Sequence, residues 1–465
     1  MVPNHGLYER VLSAMEDESG VSRSVLASVL ARVMISAPAD IARADIARGS
    51  MLSRRVPLNA SAVSRAVGAL VTQGLLTEDS TRPDEDRAGR PIKPLRLNND
   101  QWGLMGINVI HHRDKPIRLT GVVTRLCGDV LTKPDQEWDL PDEVDFDSAA
   151  ALADQIKQFH DDLLDGLAER PQLLGIGVEV SSHVHEGHII GATHGGVSSD
   201  EKNDLLTPLQ QSLETPVTID NDVNVLAVYE TYRRKYEEQD IALVAVLQDG
   251  VGASLIVDGH VYRGGGGLAA EPGHLTVTVD RPTSRKANDD RPGFDEPCLC
   301  GEGQHVDCYA VPTRLAVELA VQDFSDAAHL PARDDSGQWT DAAAVFGAGG
   351  QALGQAVASI INIVNPSRVV LRLPSVLANR GNESASGQYL SELEKAVTKH
   401  SFSRGAADAR AGEDHLTIEE LDPDVANPEG PRCAAMRAFD EFIMHARGRD
   451  HCTRRRSHRR VISAA

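Results

Sequence analysis

The chain has 465 residues, which is too long for one ordinary core and predicts two or three domains. Its content of 41% hydrophobic and 25% charged residues is typical of a soluble globular protein, and its net charge of −21 argues against nucleic-acid binding by the chain as a whole. No run of about 18 apolar residues is present, and residues 1–20 lack the basic and apolar regions of a secretory signal. We therefore expect a cytoplasmic protein with no membrane partner.

The charge is unevenly distributed along the chain. Residues 41–98 contain ten Lys or Arg against six Asp or Glu, a local charge of +4, so the rest of the chain carries −25. Contacts with nucleic-acid phosphates must therefore come from this N-terminal stretch, while the acidic body is held away from DNA. Residues 446–465 are also basic, and we expect them to form a disordered tail.

Residues 1–100 have the pattern of an all-α winged helix-turn-helix domain. Short amphipathic helices over 24–48 are followed by a segment that begins at Asn59, a favourable N-cap, and stops at Gly74. Its apolar residues fall on one helical stripe: Val63, Val67, Leu70 and Val71. The opposite face carries Ser61, Ser64 and Arg65, which suit insertion into a major groove. The alternative is an ordinary helical cap whose polar face is merely solvated.

Two basic segments flank this recognition-like helix. The segment 82–98 is predicted to form a two-stranded wing with Arg87 and Arg90 near its tip, where they can reach the DNA backbone or the minor groove. Arg54 and Arg55 lie in the connection that precedes the helix, which is longer than a usual helix-turn-helix turn. These four arginines are further candidates for contact with double-stranded DNA.

From Trp102 onward the sequence predicts an α/β domain of two lobes. Strands and turns are followed by a helix at about 147–167, and the strand-meander-then-helix arrangement occurs twice. We expect a first lobe over 101–232 and a second over 233–445, with a ligand cleft between them. The C-terminal helix is expected either in the second lobe or back against the first.

Four segments of this domain carry a resemblance to a known family: Asp220-Asn-Asp-Val-Asn224, Gly250-Val-Gly252 with Asp258-Gly259, Glu271-Pro-Gly-His274, and Cys298-Leu-Cys-Gly301. In this order they resemble the ROK family (repressors, open reading frames and sugar kinases) of the actin-like ATPase superfamily. The resemblance implies a ribonuclease H-like sugar-kinase fold. Members with an N-terminal helix-turn-helix resemble repressors of sugar-utilisation genes, whereas members without it are usually hexokinases.

The resemblance implies a structural zinc ion. Family members hold zinc with the His of Glu-x-Gly-His and three cysteines, which correspond here to His274, Cys298, Cys300 and Cys308. Three thiolates and one imidazole form a closed tetrahedral site with no open position for catalysis. The loop departs from the family in length, and His305 lies inside it as a rival ligand. The alternative is a surface loop with three free cysteines.

The resemblance also places a sugar site at Asn221, Asp222, Glu271 and His274. Carboxylates accept hydroxyl protons, and an amide both donates and accepts, which suits vicinal diols. Asp222 corresponds to the family's general base. The residues Asp220 to Asp222 could equally cap the helix that begins near Val223, and the two roles are compatible.

The nucleotide side departs from the family at three places. Asn108 stands where a metal-facing Asp is usual, and Ile110 and His111 replace the glycines beside it. Asp249 replaces a Thr in the second phosphate loop, where its charge would repel a triphosphate. Arg372 and Leu373 replace a Gly-Gly pair beneath the adenosine. These changes predict a sensor without kinase activity.

The sequence thus predicts a sugar-responsive DNA-binding transcriptional regulator, a repressor of carbohydrate-utilisation genes. Its expected partners are double-stranded operator DNA, a sugar or sugar phosphate effector, and further copies of itself in a homodimer or homotetramer. An ATP-dependent sugar kinase with Asp222 as general base is the main alternative. A DNA-binding scaffold with an inert pocket is a third.

Overall fold

The computed structural model describes residues 6–36, 59–79, 93–98, 100–110, 117–133, 137–139, 149–185, 187–190, 204–234, 240–257, 259–279, 303–381, 383–402, 416–421 and 429–446. The chain divides into two compact units. The first contains Met1–Glu238 together with Pro428–Ala465, and the second contains Gln239–Asn427. The second unit is therefore an insertion within the first, and it begins and ends at different residues from the lobe expected over 233–445.

The residues described in the N-terminal part of the first unit form three helices and a small antiparallel ribbon. They are α1 (Gly6–Ser19), α2 (Arg23–Ser36), α3 (Ala60–Thr72), β1 (Leu76–Glu78) and β2 (Leu95–Leu97). Asn59 is confirmed as the N-cap of α3, since its side chain accepts hydrogen bonds from the backbone N–H groups of Ser61 and Ala62. Gly74 follows the helix with φ +69°, a left-handed conformation in which glycine carries no steric penalty.

A mixed five-stranded sheet organises the rest of the first unit, in the order β5-β4-β3-β6-β9. Its elements, with a short ribbon β7–β8, are β3 (Trp102–Ile110), β4 (Arg118–Arg125), β5 (Glu137–Asp139), α4 (Ala149–Asp165), β6 (Gln172–Val180), β7 (His183–His185), β8 (His188–Ile190), α5 (Leu206–Ser212), β9 (Val217–Asn221) and α6 (Asp222–Arg233). Strands β3, β6 and β9 run parallel, so their carboxyl ends meet at one edge. In open α/β sheets this is the edge where ligands bind.

The second unit contains a sheet of the same design, in the order β12-β11-β10-β13-β14. Its elements are β10 (Ile241–Val246), β11 (Val251–Val257), β12 (His260–Val261), a 3₁₀ turn (Pro272–His274), α7 (Asp307–Ala310), α8 (Pro312–Leu319), α9 (Ser325–Ala328), α10 (Asp341–Val364), β13 (Arg368–Leu373), α11 (Gly387–His400) and β14 (Leu416–Glu420). The two sheets confirm the α/β architecture that the strand-and-helix pattern predicts.

Helix α10 is long and apolar enough to cross a membrane by length and composition, but 72% of its most apolar window is buried within the protein. Two of its glycines allow close packing on α11: a Cβ added at Gly350 would lie 1.9 Å from the carbonyl oxygen of Tyr389. A Cβ added at Gly354 would lie 2.5 Å from the carbonyl oxygen of Leu393. The helix is accordingly a core element of the second unit.

The last helix, α12 (Glu429–Ala446), belongs to the first unit and packs across β3 and β6. The strands present glycines where it crosses, because a Cβ at Gly106 would lie 1.7 Å from the Pro431 carbonyl oxygen. A Cβ at Gly177 would lie 1.8 Å from the Ala434 carbonyl oxygen. Only residues without a side chain permit this approach of helix backbone to sheet.

Candidate functional site

The carboxyl end of β9 presents a polar turn directly to the start of α6. Asn221 accepts a hydrogen bond from Val223 N at 3.0 Å through Oδ1, and Asp222 Oδ1 accepts from the same N–H at 2.7 Å. The Asn221 amide group donates to the carbonyl oxygen of Ser182 at 3.3 Å. Capping thus fixes the orientation of both side chains at the edge of the sheet where a ligand would bind.

Asp220, just before this turn, is completely buried and holds a cation from α12. Its carboxylate accepts a hydrogen bond from Arg437 Nε at 2.9 Å and from the Asn224 amide at 3.1 Å. The same guanidinium lies 3.3 Å from Asp440 and 3.0 Å from Glu441. Arg437 therefore ties the polar turn to the last helix. The sequence does not predict this contact, since the two residues are 217 positions apart.

A row of polar side chains crosses the sheet beside this turn. The strand register pairs Thr120 with Asn108, Asn108 with Glu179, and Glu179 with Asp220. Paired residues on neighbouring strands share a face. The face here is the one covered by α12, because Asp220 contacts Arg437 and the glycines two positions before Asn108 and Glu179 meet the helix backbone.

Glu179 is the most unusual member of this row. It is 7% exposed, and its Oε2 atom has no hydrogen-bonding partner among the described residues. Burial, followed by the carboxylates of Asp222 and Glu429, raises its pKa well above the ordinary value. A Cβ added to Gly430 would lie 2.6 Å from Asn108 Nδ2 and 3.4 Å from Glu179 Oε1, so the first turn of α12 lies against both side chains. Sequence reasoning treats Glu179 only as part of a strand.

In the second unit, the 3₁₀ turn that contains Glu271 and His274 is held by a buried carboxylate. Asp307 accepts a hydrogen bond from Val251 N at 2.8 Å, and a Cβ at Gly273 would lie 2.3 Å from its Oδ1 atom. Burial raises the pKa of Asp307 to about 6, and the nearby Glu271 carboxylate acts in the same direction. Asp307, which sequence reasoning missed, fixes the turn against the start of β11.

Part of the expected zinc loop lies next to this turn. Two backbone hydrogen bonds pair residues 275–277 with residues 304–306. Val277 N donates to the Gln304 carbonyl oxygen at 2.9 Å, and Val306 N donates to the Leu275 carbonyl oxygen at 3.1 Å. The rings of His274 and His305 are consequently 5.7 Å apart, and Cys308 is fully buried nearby in sequence.

The structure describes two of the four expected zinc ligands, His274 and Cys308. Cys298 and Cys300 lie outside the described residues, and within the described ranges no group of three or more potential ligands comes together. The remaining donor chemistry, an imidazole and a thiol on adjacent segments, is compatible with zinc.

The positions expected to face a nucleotide carry bulky or charged groups in the second unit. Arg372 is 3% exposed and donates to Glu419 at 3.1 Å, and Leu373 is fully buried. Asp249 lies in the turn between β10 and β11, which Thr313 holds through hydrogen bonds from its N and Oγ1 atoms to the Gln248 carbonyl oxygen. In the first unit, Asn108 packs against Gly430, while His111 and His112 lie outside the described residues.

The expected DNA-contact face of α3 is exposed at Ser61, Ser64 and Arg65. The Arg65 guanidinium also donates to the Ser19 carbonyl oxygen at 3.3 Å, so it helps to cap α1. Of the predicted apolar stripe, Val63, Val67 and Leu70 are buried and Val71 is partly buried. The four other arginines predicted to contact DNA (Arg54, Arg55, Arg87 and Arg90) lie outside the described residues.

Comparison with known proteins identifies the family of the large domain. The family model described as "ROK family" matches residues 136–406, more than half of the chain. The chain belongs to the ROK family. Its curated relatives include the xylose repressor of Bacillus spizizenii, 27% identical over 333 residues that cover 69% of this chain and 76% of the relative. Another is the glucokinase of Halalkalibacterium halodurans, 26% identical and covering 59% of this chain and 80% of the relative.

Solved ROK structures share the fold. A ROK family transcriptional regulator, described as a homologue of the E. coli MLC protein, superposes with a TM-score of 0.63 at 19% identity. The match covers 91% of this chain and 98% of that one. The ROK hexokinase from Thermus thermophilus gives a TM-score of 0.51 at 18% identity, covering 73% of this chain and 98% of that one. At such identities the likeness shows the ROK fold, which repressors and kinases both use.

Proposed function

We propose that this ROK protein is a sugar-responsive DNA-binding transcriptional regulator that represses carbohydrate-utilisation genes. The observation that carries the proposal is helix α3, which is capped at Asn59, buried along one stripe and exposed at Ser61, Ser64 and Arg65. A short antiparallel ribbon follows it, as in a winged helix-turn-helix domain. The similarity to a xylose repressor supports the same function.

DNA binding is tested with the full chain and its own upstream DNA. Ser61 lies in the first turn of α3, where an acidic side chain favours the helix but would repel phosphates. Ser61→Glu is therefore expected to leave thermal stability unchanged or slightly higher and to weaken DNA binding by about tenfold or more in fluorescence anisotropy. Ser61→Ala is the matched control. Equal DNA affinity of Ser61→Glu and the natural chain would refute the proposed contact.

The effector is proposed to contact Asn221, Asp222, Glu271 and His274. Carboxylates and an amide at these positions suit sugar hydroxyls. The observation that supports this assignment in the first unit is the fixed orientation of Asn221 and Asp222 at the ligand edge of the sheet. Operator affinity is to be measured with and without sugars. A scaffold with an inert pocket would bind DNA with the same affinity in every sugar.

Kinase activity is proposed to be lost. The buried Arg372–Glu419 pair and the buried Leu373 occupy the positions that correspond to a glycine pair in kinases of the family. The glucokinase relative makes a direct test necessary. We expect no heat in a calorimetric titration with Mg-ATP and no sugar-dependent ADP formation. ATP-dependent phosphorylation that disappears in Asp222→Asn would establish the kinase alternative instead.

A structural zinc ion is proposed at His274, Cys298, Cys300 and Cys308, with His305 as a possible substitute ligand. Zinc held by such residues stabilises a loop and supplies no catalytic step. Metal analysis of protein purified without chelators is expected to give one zinc per chain. Cys308→Ser should lower that content, and unchanged content in this variant would remove Cys308 from the ligand set.

The assembly is proposed to be a cytoplasmic homodimer or homotetramer, since a two-fold repressor matches two operator half-sites. Light scattering on the purified protein gives the number of chains directly. A monomer that binds its operator as one chain would contradict this assignment.

A further inference from the structure

Thr120, Asn108 and Glu179 form a row across β4, β3 and β6 near the carboxyl edge of the first unit's sheet. Glu179 is one strand away from the turn that holds Asn221 and Asp222. Two of the row's buried polar atoms form no hydrogen bond with other described residues. Both Thr120 Oγ1 and Glu179 Oε2 have no hydrogen-bonding partner within the described ranges, although Thr120 is 6% and Glu179 7% exposed. Proteins rarely leave buried polar atoms in this state unless another group binds them.

The neighbours of Glu179 determine what kind of group could bind. Burial raises the pKa of Glu179, and the nearby carboxylates of Asp222 and Glu429 act in the same direction. Burial between like charges favours the neutral form of a carboxyl group, and that form can donate one hydrogen bond and accept others. Such a group suits a hydroxyl, as does the Asn108 amide beside it.

Both helix N-termini at this edge carry their own acidic side chains. Asp222 occupies the start of α6 and bonds to Val223 N, and Glu429 lies in the first turn of α12. A helix N-terminus attracts phosphate only where its N–H groups face the ligand. Arg437, a buried cation of this unit, is engaged by Asp220, Asp440 and Glu441. Among the described residues at this edge, an anionic ligand would thus meet the like charges of Asp222 and Glu429.

We propose that Glu179, together with Asn108, forms a further hydroxyl-binding position beside Asp222, and that this position selects an uncharged sugar over a phosphorylated or carboxylated one. The inference rests on the proposed sugar response and specifies the chemical class of the effector. Thr120 lies next to Asn108 in the row and supplies a third hydroxyl-compatible atom. Glu179 acts as a specificity-determining residue in this arrangement.

The experiment compares matched sugars with the full-length protein by calorimetry and by operator binding. The panel contains D-glucose with glucose 6-phosphate and glucuronate, N-acetylglucosamine with its 6-phosphate, and D-xylose. We expect binding of at least one uncharged sugar, with each charged counterpart of that sugar bound at least about tenfold more weakly. A charged counterpart that binds as tightly or more tightly would overturn the selection.

Variants test the contact itself. Glu179→Gln keeps the shape and the hydrogen-bonding capacity of the neutral acid, so its affinity for the uncharged sugar should stay within about threefold. Glu179→Leu should lose about tenfold or more, and Glu214→Gln, an exposed change in the same unit, should lose nothing. A folded Glu179→Leu protein with unchanged affinity would overturn the contact. If Glu179→Leu does not fold, the comparison of charged with uncharged sugars on the natural chain still decides the selection.

The two levels of the proposal fail in different ways. If a phosphorylated sugar binds tightly and changes operator affinity, the sugar response stands and the selection for an uncharged effector is wrong. If no member of the panel binds and operator affinity is the same in all of them, the sugar response itself is refuted, and the inference falls with it.

Discussion

Replacing Arg437 by methionine removes the cation that three carboxylates of the first unit surround. The Arg437 side chain is 11% exposed, and the Asp220 side chain is completely buried. Breaking a buried pair by removing one partner costs about 3 to 5 kcal/mol, because it leaves an uncompensated buried charge. Asp440 and Glu441 are 16% and 25% exposed, so solvent screens part of their interaction with Arg437.

The remaining hydrogen bonds of Asp220 place the cost near the lower limit. Its carboxylate still accepts from Asn221 N at 2.9 Å and from the Asn224 amide at 3.1 Å in the variant. We therefore expect Arg437→Met to lose about 3 kcal/mol of unfolding free energy. With a urea m-value of about 3 kcal/mol/M, the midpoint falls by about 1 M.

Tryptophan fluorescence can report this unfolding in the first unit alone. The chain has three tryptophans, and only Trp339 lies in the second unit. A Trp339→Phe background leaves Trp102, which is 3% exposed, and Trp138 as reporters. The urea midpoints of Arg437→Met and of the parent are then compared directly.

The double variant separates charge from packing. In Arg437→Met with Asp220→Asn, the completely buried carboxylate is gone and only the partly exposed Asp440 and Glu441 lack the cation. At least half of the lost stability should therefore return. A loss below about 1 kcal/mol in the single variant would refute the account of a buried ion pair. So would an equal loss in the single and double variants, because packing alone would then explain it.

Three further results are expected from the same unfolding assay, with DNA binding as a second measurement. Gly177→Ala should lower the free energy of unfolding by about 3 kcal/mol or more, because its Cβ would lie 1.8 Å from the Ala434 carbonyl oxygen. The control Gly68→Ala, where nothing lies within 4 Å, should raise it by about 0.5 to 1 kcal/mol. A small loss of stability in Gly177→Ala would contradict the close packing of helix on sheet. The pKa of Glu179 is raised above its ordinary value of 4.5 in the folded protein. The stability that this group contributes is therefore fully present below pH 4.5 and is lost as the pH rises toward the pKa of the folded state. Glu179→Gln should therefore gain on the natural chain as pH rises from about 4.5, by up to about 1.4 kcal/mol per pH unit, and a constant difference between the two would be inconsistent with a neutral acid. Tyr8→Ala should lower the free energy of unfolding by about 3 kcal/mol and weaken operator binding, because the Tyr8 ring is fully buried 5.1 Å from that of Phe442. The control Tyr8→Phe should lower it by about 1 kcal/mol or less. Undiminished DNA affinity in folded Tyr8→Ala would mean that DNA binding does not need this contact.

Local patterns predict the elements of this fold well. Asn59 is the cap that its side chain and position suggest, and the helix expected at 147–167 is observed at Ala149–Asp165. The strand-to-helix turn at Asn221 and Asp222 also lies where the sequence places it. These features depend on residues a few positions apart, so capping and hydrophobic periodicity are sufficient to find them.

The contacts that shape the candidate site join distant parts of the chain. Glu179 looks like any residue in a strand until the register sets it beside Asn108 and the first turn of α12 covers it. The partner of Arg372 is Glu419, which is 47 positions away on a neighbouring parallel strand. Neither periodicity nor a motif contains such pairings, because they arise only when the sheet order is known.

The return of α12 to the first unit determines the order in which the two units can be completed during synthesis. Tyr8 donates to the Ala438 carbonyl oxygen at 3.4 Å, and His445 lies 2.7 Å from Glu9, so the first helix packs on the last. During synthesis from the N-terminus, the second unit is complete before residue 428 is added, while the sheet of the first unit still lacks the helix that covers it. The glycine-lined face of β3 and β6 is therefore uncovered until Glu429–Ala446 has been synthesised. A chain cut short before Glu429 would be released with its second unit complete and its first unit uncovered, so the first unit would be exposed to chaperones and proteases.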